Sequence, residues 1–286
     1  MIVDQAEKLR LMVRESRKNA RVLAVASGKG GVGKTTITAA LALTFAENNM
    51  NVLVVDADPD ANLASALGVL SSAQSGIPTI AAEKALIEER TGAKLKEYGQ
   101  IFKLNPEVSD IKDSYAYIHR GVSLLVLGAI EGGGTGCACP ESSLLRALVQ
   151  DLVLHKNDLL LMDMEAGIEH LGRATARGVD IFLVVVEPGQ RSVDSVKRIT
   201  EMARQIGIEN IAVIANRIRT ADDERFIRDS LPGMEIIGTV PFSERLMESD
   251  RDGRSVTDGM GEEMKRIFSE LAKTLQQKVL DRNNIR

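Results

Sequence analysis

The segment GKGGVGKT at residues 28–35 constrains the fold of this chain more than any other stretch. It follows the apolar run RVLAVA and precedes the helix-like segment TTITAALALTFAENN. Its glycines allow the backbone to turn tightly and to direct N–H groups inward, and a helix that starts there adds the positive end of its dipole. The segment therefore predicts a strand, a phosphate-binding loop and a helix, in that order.

The residue types of this loop predict a site for ATP with Mg²⁺. Lys34 is placed to neutralise the β- and γ-phosphates, and the hydroxyl of Thr35 to bind Mg²⁺. Thr36 is expected to contact the α-phosphate. The backbone that wraps around the phosphates is predicted to come from Gly28, Lys29, Gly30, Gly31, Val32 and Gly33.

Short apolar runs recur along the chain, separated by segments long enough to be helices. Most of them are apolar throughout, which is expected when both faces of a sheet are covered. The runs are RVLAVA (21–26), NVLVVD (51–56), VSLLVLG (122–128), DLLLMD (158–163), DIFLVVV (180–186), NIAVIAN (210–216) and EIIGTV (235–240). The alternation predicts a single-domain α/β P-loop NTPase with a mostly parallel, doubly wound sheet of about seven to eight strands.

Two segments depart from this rhythm. Residues 1–20 are predicted to form an N-terminal helical extension, with the helix at Asp4–Arg17, before an ATPase domain at 21–286. Residues at about 70–120 are predicted to be an insertion packed over the sheet. The segment Glu262–Val279 carries an apolar stripe and is expected to be a closing helix rather than a membrane anchor.

Composition excludes several classes of protein. The net charge of −4 argues against a protein that grips nucleic acid through its phosphates. Two cysteines are too few for a secreted disulfide framework, so a reducing cytoplasm is expected. No stretch approaches the roughly 20 apolar residues that span a bilayer. We therefore expect a cytoplasmic protein without nucleic acid or stable membrane association.

A second lysine, Lys29, lies early in the phosphate loop. In this respect the loop resembles the deviant Walker A ATPases, which include MinD, ParA, ArsA and the nitrogenase iron protein. The resemblance implies that Lys29 is catalytic together with Lys34 and reaches the nucleotide of a second copy. ATP would then hold a homodimer together.

Acidic residues follow two of the predicted strands. The segment VVDADPDANL places Asp56 and Asp58 at the carboxyl edge of the sheet, where ligands of open α/β sheets bind. The family resemblance implies that Asp58 orients the attacking water and that Asp56 lies near the Mg²⁺ shell. The segment DLLLMDMEAG ends a strand at Asp163, a Walker B pattern in which the acid holds Mg²⁺ through water. Glu165 stands where most relatives have proline.

Two later strand ends resemble the adenine-binding loops of the same group. Asn216 and Arg217 follow the strand NIAVIAN, and the resemblance implies that Asn216 pairs with the adenine edge. The segment TVPFSE implies backbone contacts with the base around Pro241 and Phe242. The alternative is that these are ordinary turn residues, since strand ends often carry Asn or Pro.

The two cysteines, Cys137 and Cys139, lie in a glycine-rich loop just before a predicted helix start at Pro140. Thiols ahead of a helix N-terminus tend toward the thiolate, which binds metals, whereas a disulfide between such close residues would be strained. Two thiolates make half of a tetrahedral site, and a homodimer can supply the other half by symmetry. The alternative is an ordinary loop.

Four further stretches carry a more specific resemblance: GCACPESSLLRALV, DMEAGIEHLGR, VVVEPGQRS and FKLNP. They resemble the CooC-type nickel-inserting ATPases of carbon monoxide dehydrogenase and acetyl-CoA synthase maturation, from about residue 21 to the C-terminus. The stretch DQAEKLRLMV instead resembles the N-terminal helix of flagellar-number ATPases related to MinD.

The CooC resemblance implies an ATP-hydrolysing metallochaperone. ATP would close a homodimer, assemble a Cys₄ site for Ni²⁺ or Zn²⁺ from Cys137 and Cys139, and release the metal to carbon monoxide dehydrogenase or acetyl-CoA synthase as client. Thiolates bind both ions, so the sequence does not choose between them. Glu169 and His170 are interpreted as stabilising the helix after Walker B rather than as metal ligands.

Two other functions compete with this one. A spatial-organising switch of the MinD or ParA type would act through a partner or a membrane, and the N-terminal helix favours it. An iron–sulfur electron carrier would need well-separated cysteines in each subunit, which the close pair disfavours.

Overall fold

The computed structural model describes residues 21–93, 100–128, 139–155, 159–164, 176 and 178–285. The predicted helix at Asp4–Arg17 lies outside these residues. The division into an extension, a domain and an insertion therefore stays a prediction.

The described residues contain one eight-stranded sheet in the order β3-β4-β2-β5-β1-β6-β7-β8. All neighbouring strands are parallel except β3, which runs antiparallel to β4. The strands are β1 (Arg21–Ala26), β2 (Val52–Ala57), β3 (Tyr117–His119), β4 (Val122–Val126), β5 (Leu159–Met164), β6 (Ile181–Val186), β7 (Ile211–Ile218) and β8 (Glu235–Pro241). The predicted α/β class and the mostly parallel sheet are confirmed.

The central strand β1 shows why the apolar runs form strands here. Its side chains alternate between the two faces of the sheet, and each face is covered. Val22 and Ala24 belong to the apolar core on one face, and Leu23 and Val25 belong to the core on the other. Apolar residues at every position are therefore buried, as in other parallel sheets with helices on both sides.

The helices lie on both faces of this sheet. They are α1 (Lys34–Glu47), α2 (Leu63–Ala66), α3 (Ser71–Gln74), α4 (Lys84–Thr91), α5 (Ile111–Tyr115), α6 (Pro140–His155), α7 (Gln190–Gln205), α8 (Ala221–Ser230), α9 (Glu244–Arg251) and α10 (Glu262–Ile285). The core on one face includes side chains of α1 and α10, and the core on the other includes side chains of α4, α6, α7 and α8. Among the described helices, none has the length and apolar character needed to cross a lipid bilayer.

The region at about 70–120 adds strand β3 to the edge of the sheet. Tyr117 pairs with Leu124 and His119 with Val122, so β3 and β4 form a hairpin. Its turn residues, Arg120 and Gly121, have φ values of 48° and 77°. This left-handed pair of turn residues suits a tight hairpin between twisted strands.

Candidate functional site

The phosphate loop connects β1 to α1 at the carboxyl edge of the sheet. Gly31 and Gly33 have φ values of 81° and 87°, a region that favours glycine. At position 28 glycine is required for steric reasons instead, because a Cβ there would lie 2.2 Å from Cβ of Ser195 on α7. Val32 is buried, whereas Gly30 and Gly31 are exposed and Thr36 is half-buried. The loop is therefore packed against α7 on one side and open on the other.

The first group of charged residues at this edge is the Lys34 cluster, which consists of Lys34, Thr35, Asp58 and Asp163. Nζ of Lys34 lies 2.8 Å from Oδ1 of Asp163 and 3.0 Å from Oδ2 of Asp58. The hydroxyl of Thr35 donates to Oδ2 of Asp163 at 2.7 Å. The four residues come from the loop end of α1, the segment after β2 and strand β5, so the fold brings together groups that are far apart in sequence.

Burial controls the electrostatics of this cluster. Burial acts to lower the pKa of Lys34, but the charges and hydrogen bonds of Asp163 and Asp58 outweigh it and raise that pKa. Burial raises the pKa of Asp163 above its ordinary value, although Lys34 opposes the rise. Among the described residues, the cation bonded to Asp163 is the ammonium group of Lys34.

Asp56 lies beside Asp163, because the two residues are partners in the register of β2 and β5. Its carboxylate accepts hydrogen bonds from the backbone N–H of Leu63 at 2.9 Å and of Asp58 at 3.2 Å. Burial raises the pKa of Asp56 to about 7. The bonds fix the turn after β2, and this turn directs Asp58 toward Lys34.

Oxygen donors of the Lys34 cluster, together with the neighbouring Asp56, fit Mg²⁺. The hydroxyl of Thr35 and the carboxylates of Asp163 and Asp56 are hard oxygen ligands, the kind Mg²⁺ prefers. The ammonium group of Lys34 already occupies part of this site, since it is bound by the carboxylates of Asp163 and Asp58. A nucleotide that drew Lys34 onto its phosphates would make the oxygens of Asp163 available to Mg²⁺ in place of the ammonium group.

A second group, the Glu187 cluster, consists of Lys29, Glu187 and Arg217. Oε1 of Glu187 lies 3.0 Å from Nζ of Lys29, and Oε2 lies 3.4 Å from a guanidinium nitrogen of Arg217. Glu187 is the first residue after β6. It was not among the predicted site residues, although an acid at the carboxyl end of a central strand was a signal for it.

Of the predicted adenine-side residues, Asn216 contacts the phosphate loop, and Pro241 and Phe242 pair with the end of the strand that carries Asn216. Nδ2 of Asn216 donates to the carbonyl oxygen of Val32 at 2.8 Å, so this amide already supports the phosphate loop. The backbone N–H of Phe242, which follows Pro241, donates to the carbonyl of Ile218 at 2.9 Å. The contact of Asn216 and Phe242 with a base stays a prediction.

An arginine that the sequence did not single out lies over one of these residues. The guanidinium carbon of Arg219 is 3.7 Å from the centre of the Phe242 ring, a cation–π contact. Its backbone N–H donates to Asp223 at 2.9 Å. This places a positive charge and an aromatic face together at the end of β7 and β8.

Cys139 lies immediately before α6 and is half-buried. Its Sγ accepts a hydrogen bond from the backbone N–H of Ser142 at 3.4 Å, and its carbonyl accepts one from Ser143 at 3.0 Å. The sulfur therefore occupies the capping position of a helix N-terminus, where negative charge is favoured. Cys137, Glu165, Glu169 and His170 lie outside the described residues. Within the described ones, no group of three or more His, Cys, Asp or Glu could hold a metal ion.

Known proteins resemble this chain in sequence and fold. Residues 23–256 match the family model of the CobQ/CobB/MinD/ParA nucleotide binding domain. An uncharacterized ATP-binding protein of Methanocaldococcus jannaschii is 42% identical over 252 residues, covering 86% of this chain and 96% of that protein. The carbon monoxide dehydrogenase accessory protein CooC of Rhodospirillum rubrum is 41% identical over 232 residues, covering 81% and 88%.

Solved structures agree on the fold. The MinC:MinD cell division protein complex of Aquifex aeolicus contains a chain that matches with a TM-score of 0.65 at 23% identity. The match covers 90% of this chain and 96% of that one. At this identity the likeness establishes the architecture alone.

Proposed function

Because this chain belongs to the CobQ/CobB/MinD/ParA family of nucleotide-binding domains, and within it to the CooC type, we propose that it is an Mg²⁺-dependent ATPase that carries metal. It hydrolyses ATP to ADP and phosphate. The cycle loads and releases Ni²⁺ or Zn²⁺ as cargo.

The observation that carries the ATPase proposal is the convergence of Lys34, Thr35 and two acids at the end of the loop. Lys34 moves from the carboxylates to the β- and γ-phosphates when ATP binds. Thr35 and Asp163 would hold Mg²⁺, which would supply positive charge to neutralise the phosphates. Asp58, freed from Lys34, orients the attacking water.

The position of Cys139 supports a metal cargo. Its sulfur caps α6, so the thiolate that a metal needs is stabilised by the helix. Cys137 would add a second thiolate from each chain. Two chains then complete a Cys₄ shell, which suits a soft or borderline ion such as Ni²⁺ or Zn²⁺.

ATP is proposed to control that site through dimerisation. Lys29 of each protomer reaches the nucleotide of the other, so both active sites are completed only in a homodimer. Hydrolysis removes the γ-phosphate that holds the dimer, and the metal shell opens. The relative from R. rubrum is a carbon monoxide dehydrogenase accessory protein, and we infer that carbon monoxide dehydrogenase or acetyl-CoA synthase is the client.

The test is metal stoichiometry in the presence and absence of a slowly hydrolysed ATP analogue. Anaerobic protein is titrated with Ni²⁺ or Zn²⁺ while its native mass is measured. We expect one metal per two chains, with tighter metal binding when the analogue is present, since metal and ATP favour the same dimer. Cys139→Ser and Cys137→Ser should each lose most of the metal affinity and keep nucleotide binding.

Ser142→Ala is the matched control, because it removes a hydroxyl from the same helix start and keeps the backbone N–H that donates to Cys139. It should bind metal as the unchanged protein does. One metal per monomer, or full affinity after both cysteines are replaced, contradicts the shared site. ATP-driven dimerisation without metal binding would favour the spatial-organising switch instead.

A further inference from the structure

Lys29 does not stand free in the structure: it is paired within its own protomer. Its ammonium group lies 3.0 Å from Oε1 of Glu187, a residue 158 positions later in the chain. The lysine side chain is 49% exposed and the glutamate 21% exposed. The ion pair is short enough to retain the lysine, and it is exposed enough to solvent for the lysine to exchange partners.

The acid is fixed more firmly than the lysine. The backbone N–H of Glu187 donates to the hydroxyl of the buried Ser192 at 3.1 Å. The same segment packs directly on the loop, because Ser195 touches the position of Gly28, next to Lys29. The backbone of Glu187 is therefore tied to the helix that packs on the loop, while the side chain of Lys29 retains its rotatable bonds.

Glu187 also has a second cation. Its other carboxylate oxygen lies 3.4 Å from Arg217, whose neighbour Asn216 is anchored to Val32 of the loop. When Lys29 leaves, Glu187 keeps a positive partner, so its charge is not left unpaired. This lowers the cost of breaking the Lys29 contact compared with an isolated pair.

We propose that Glu187 is a positioning residue that retains Lys29 in its own protomer until an ATP-loaded partner draws it across the interface. The inference rests on the proposed function, in which Lys29 acts on the partner's nucleotide. It goes further by assigning the lysine a resting partner. Glu187 then sets how much nucleotide-bound protein is needed before the dimer forms.

Loss of one Lys29–Glu187 pair should have a modest effect on the conformation of a single protomer, and a larger effect on the dimer dissociation constant. A partly exposed ion pair changes an equilibrium by roughly 1.5- to 5-fold. Each dimer requires two such pairs to break, one in each protomer, so the factor is squared. Glu187→Gln should therefore lower the dimer dissociation constant by about 2- to 25-fold at saturating ATP analogue.

The experiment compares Glu187→Gln with Asp194→Asn by analytical ultracentrifugation at saturating, slowly hydrolysed ATP analogue. Both variants remove one negative charge from the same part of the molecule, but Asp194 accepts its hydrogen bond from Gln190 rather than from Lys29. We expect tighter dimers for Glu187→Gln alone. The difference should shrink as salt is raised, because the pair is screened. A structural defect in α7 would not produce that salt dependence.

The double variant tests whether Glu187 affects dimerisation through Lys29. Adding Glu187→Gln to Lys29→Ala should leave dimerisation as weak as in Lys29→Ala alone. A tighter dimer in that background, or a wild-type protein that dimerises as well as or better than Glu187→Gln, would overturn the assignment of Glu187. If Lys29→Ala itself dimerises normally with the analogue, the proposed trans role of Lys29 fails, and the Glu187 inference fails with its premise.

Discussion

The Lys34 cluster and the Glu187 cluster lie at the two ends of the same loop, yet they hold their lysines in different surroundings. The side chain of Lys34 is 9% exposed and contacts two carboxylates, one of which, on Asp163, is 1% exposed. The side chain of Lys29 is 49% exposed and contacts one carboxylate. Both clusters join elements that are distant in sequence, so topology does not explain the difference.

Burial explains it. A buried charge that loses its partner costs several kcal/mol, whereas a partly exposed pair is worth at most about 1 kcal/mol because water replaces the partner. Lys34 is therefore expected to move only when phosphate oxygens replace the carboxylates. Lys29 can exchange partners at small cost. One end of the loop is suited to binding tightly and the other to switching.

The largest expected effect comes from the buried end. Lys34→Ala should reduce ATP affinity by at least about 100-fold, because each charge-assisted hydrogen bond to phosphate is worth about 1.5–3 kcal/mol. Isothermal titration calorimetry measures this directly. Lys29→Ala should keep nucleotide binding and remain a monomer. If both variants lost ATP affinity equally, the two ends of the loop would not differ in the way proposed.

Asp58→Ala tests whether the acid beside Lys34 acts in chemistry rather than in binding. We expect the variant to bind ATP, to turn over about 100-fold more slowly and to accumulate as a dimer, since a positioned acid or base contributes on that scale. Asp60→Ala, on the exposed part of the same turn, is the control. Normal turnover by Asp58→Ala would mean that another group orients the water.

A third experiment acts on the packing that supports the Glu187 cluster. Gly28→Ala places a methyl group against Ser195 on α7 and should cost about 1–3 kcal/mol of unfolding free energy. Gly30→Ala meets nothing within 4 Å and should be close to neutral. Urea unfolding of nucleotide-free protein compares them. Equal stabilities would show that α7 can move away from the loop.

The smallest expected effect measures how much an exposed ion pair contributes to the unfolding free energy of this protein. Arg120 and Asp258 form two hydrogen bonds of 2.9 Å between the β3–β4 turn and residues before α10. Asp258→Asn should lose about 0.2–1 kcal/mol of unfolding free energy at neutral pH.

The pH dependence of that pair has a definite sign. The hydrogen bond from Arg120 lowers the pKa of Asp258. Its stabilisation is therefore present above about pH 4, the ordinary pKa of aspartate, and is lost as the pH falls through the lowered pKa. Urea unfolding should show the difference between wild type and Asp258→Asn narrowing in acid. A difference that widens in acid would contradict the assignment.

The sequence predicted most of this fold because buried parallel strands are apolar at every position. All seven apolar runs contain strands of the sheet. Strand β3 was missed, since a three-residue edge strand with exposed Ile118 has no such run. The residues of the Lys34 cluster were predicted because each belongs to a short local motif.

The Glu187 cluster shows what local patterns leave out. The pairing of Lys29 with Glu187 depends on β6 lying next to β1, a neighbour relation that no window of sequence contains. Arg219 was overlooked for a similar reason, because its contact with Phe242 depends on the register of β7 and β8. Motifs predicted the groups that each strand carries, but not the partners that each group meets.

The central place of β1 has a consequence for how the chain becomes competent as it is made. Arg21 pairs with Leu159 and Leu23 with Ile181. The first described strand therefore pairs with strands that are synthesised much later. Pairings between such distant segments form slowly, because a long loop must close first. Asp163 and Glu187 arrive with those late strands. We therefore expect a nucleotide to stabilise only chains in which β5 and β6 have already paired with β1.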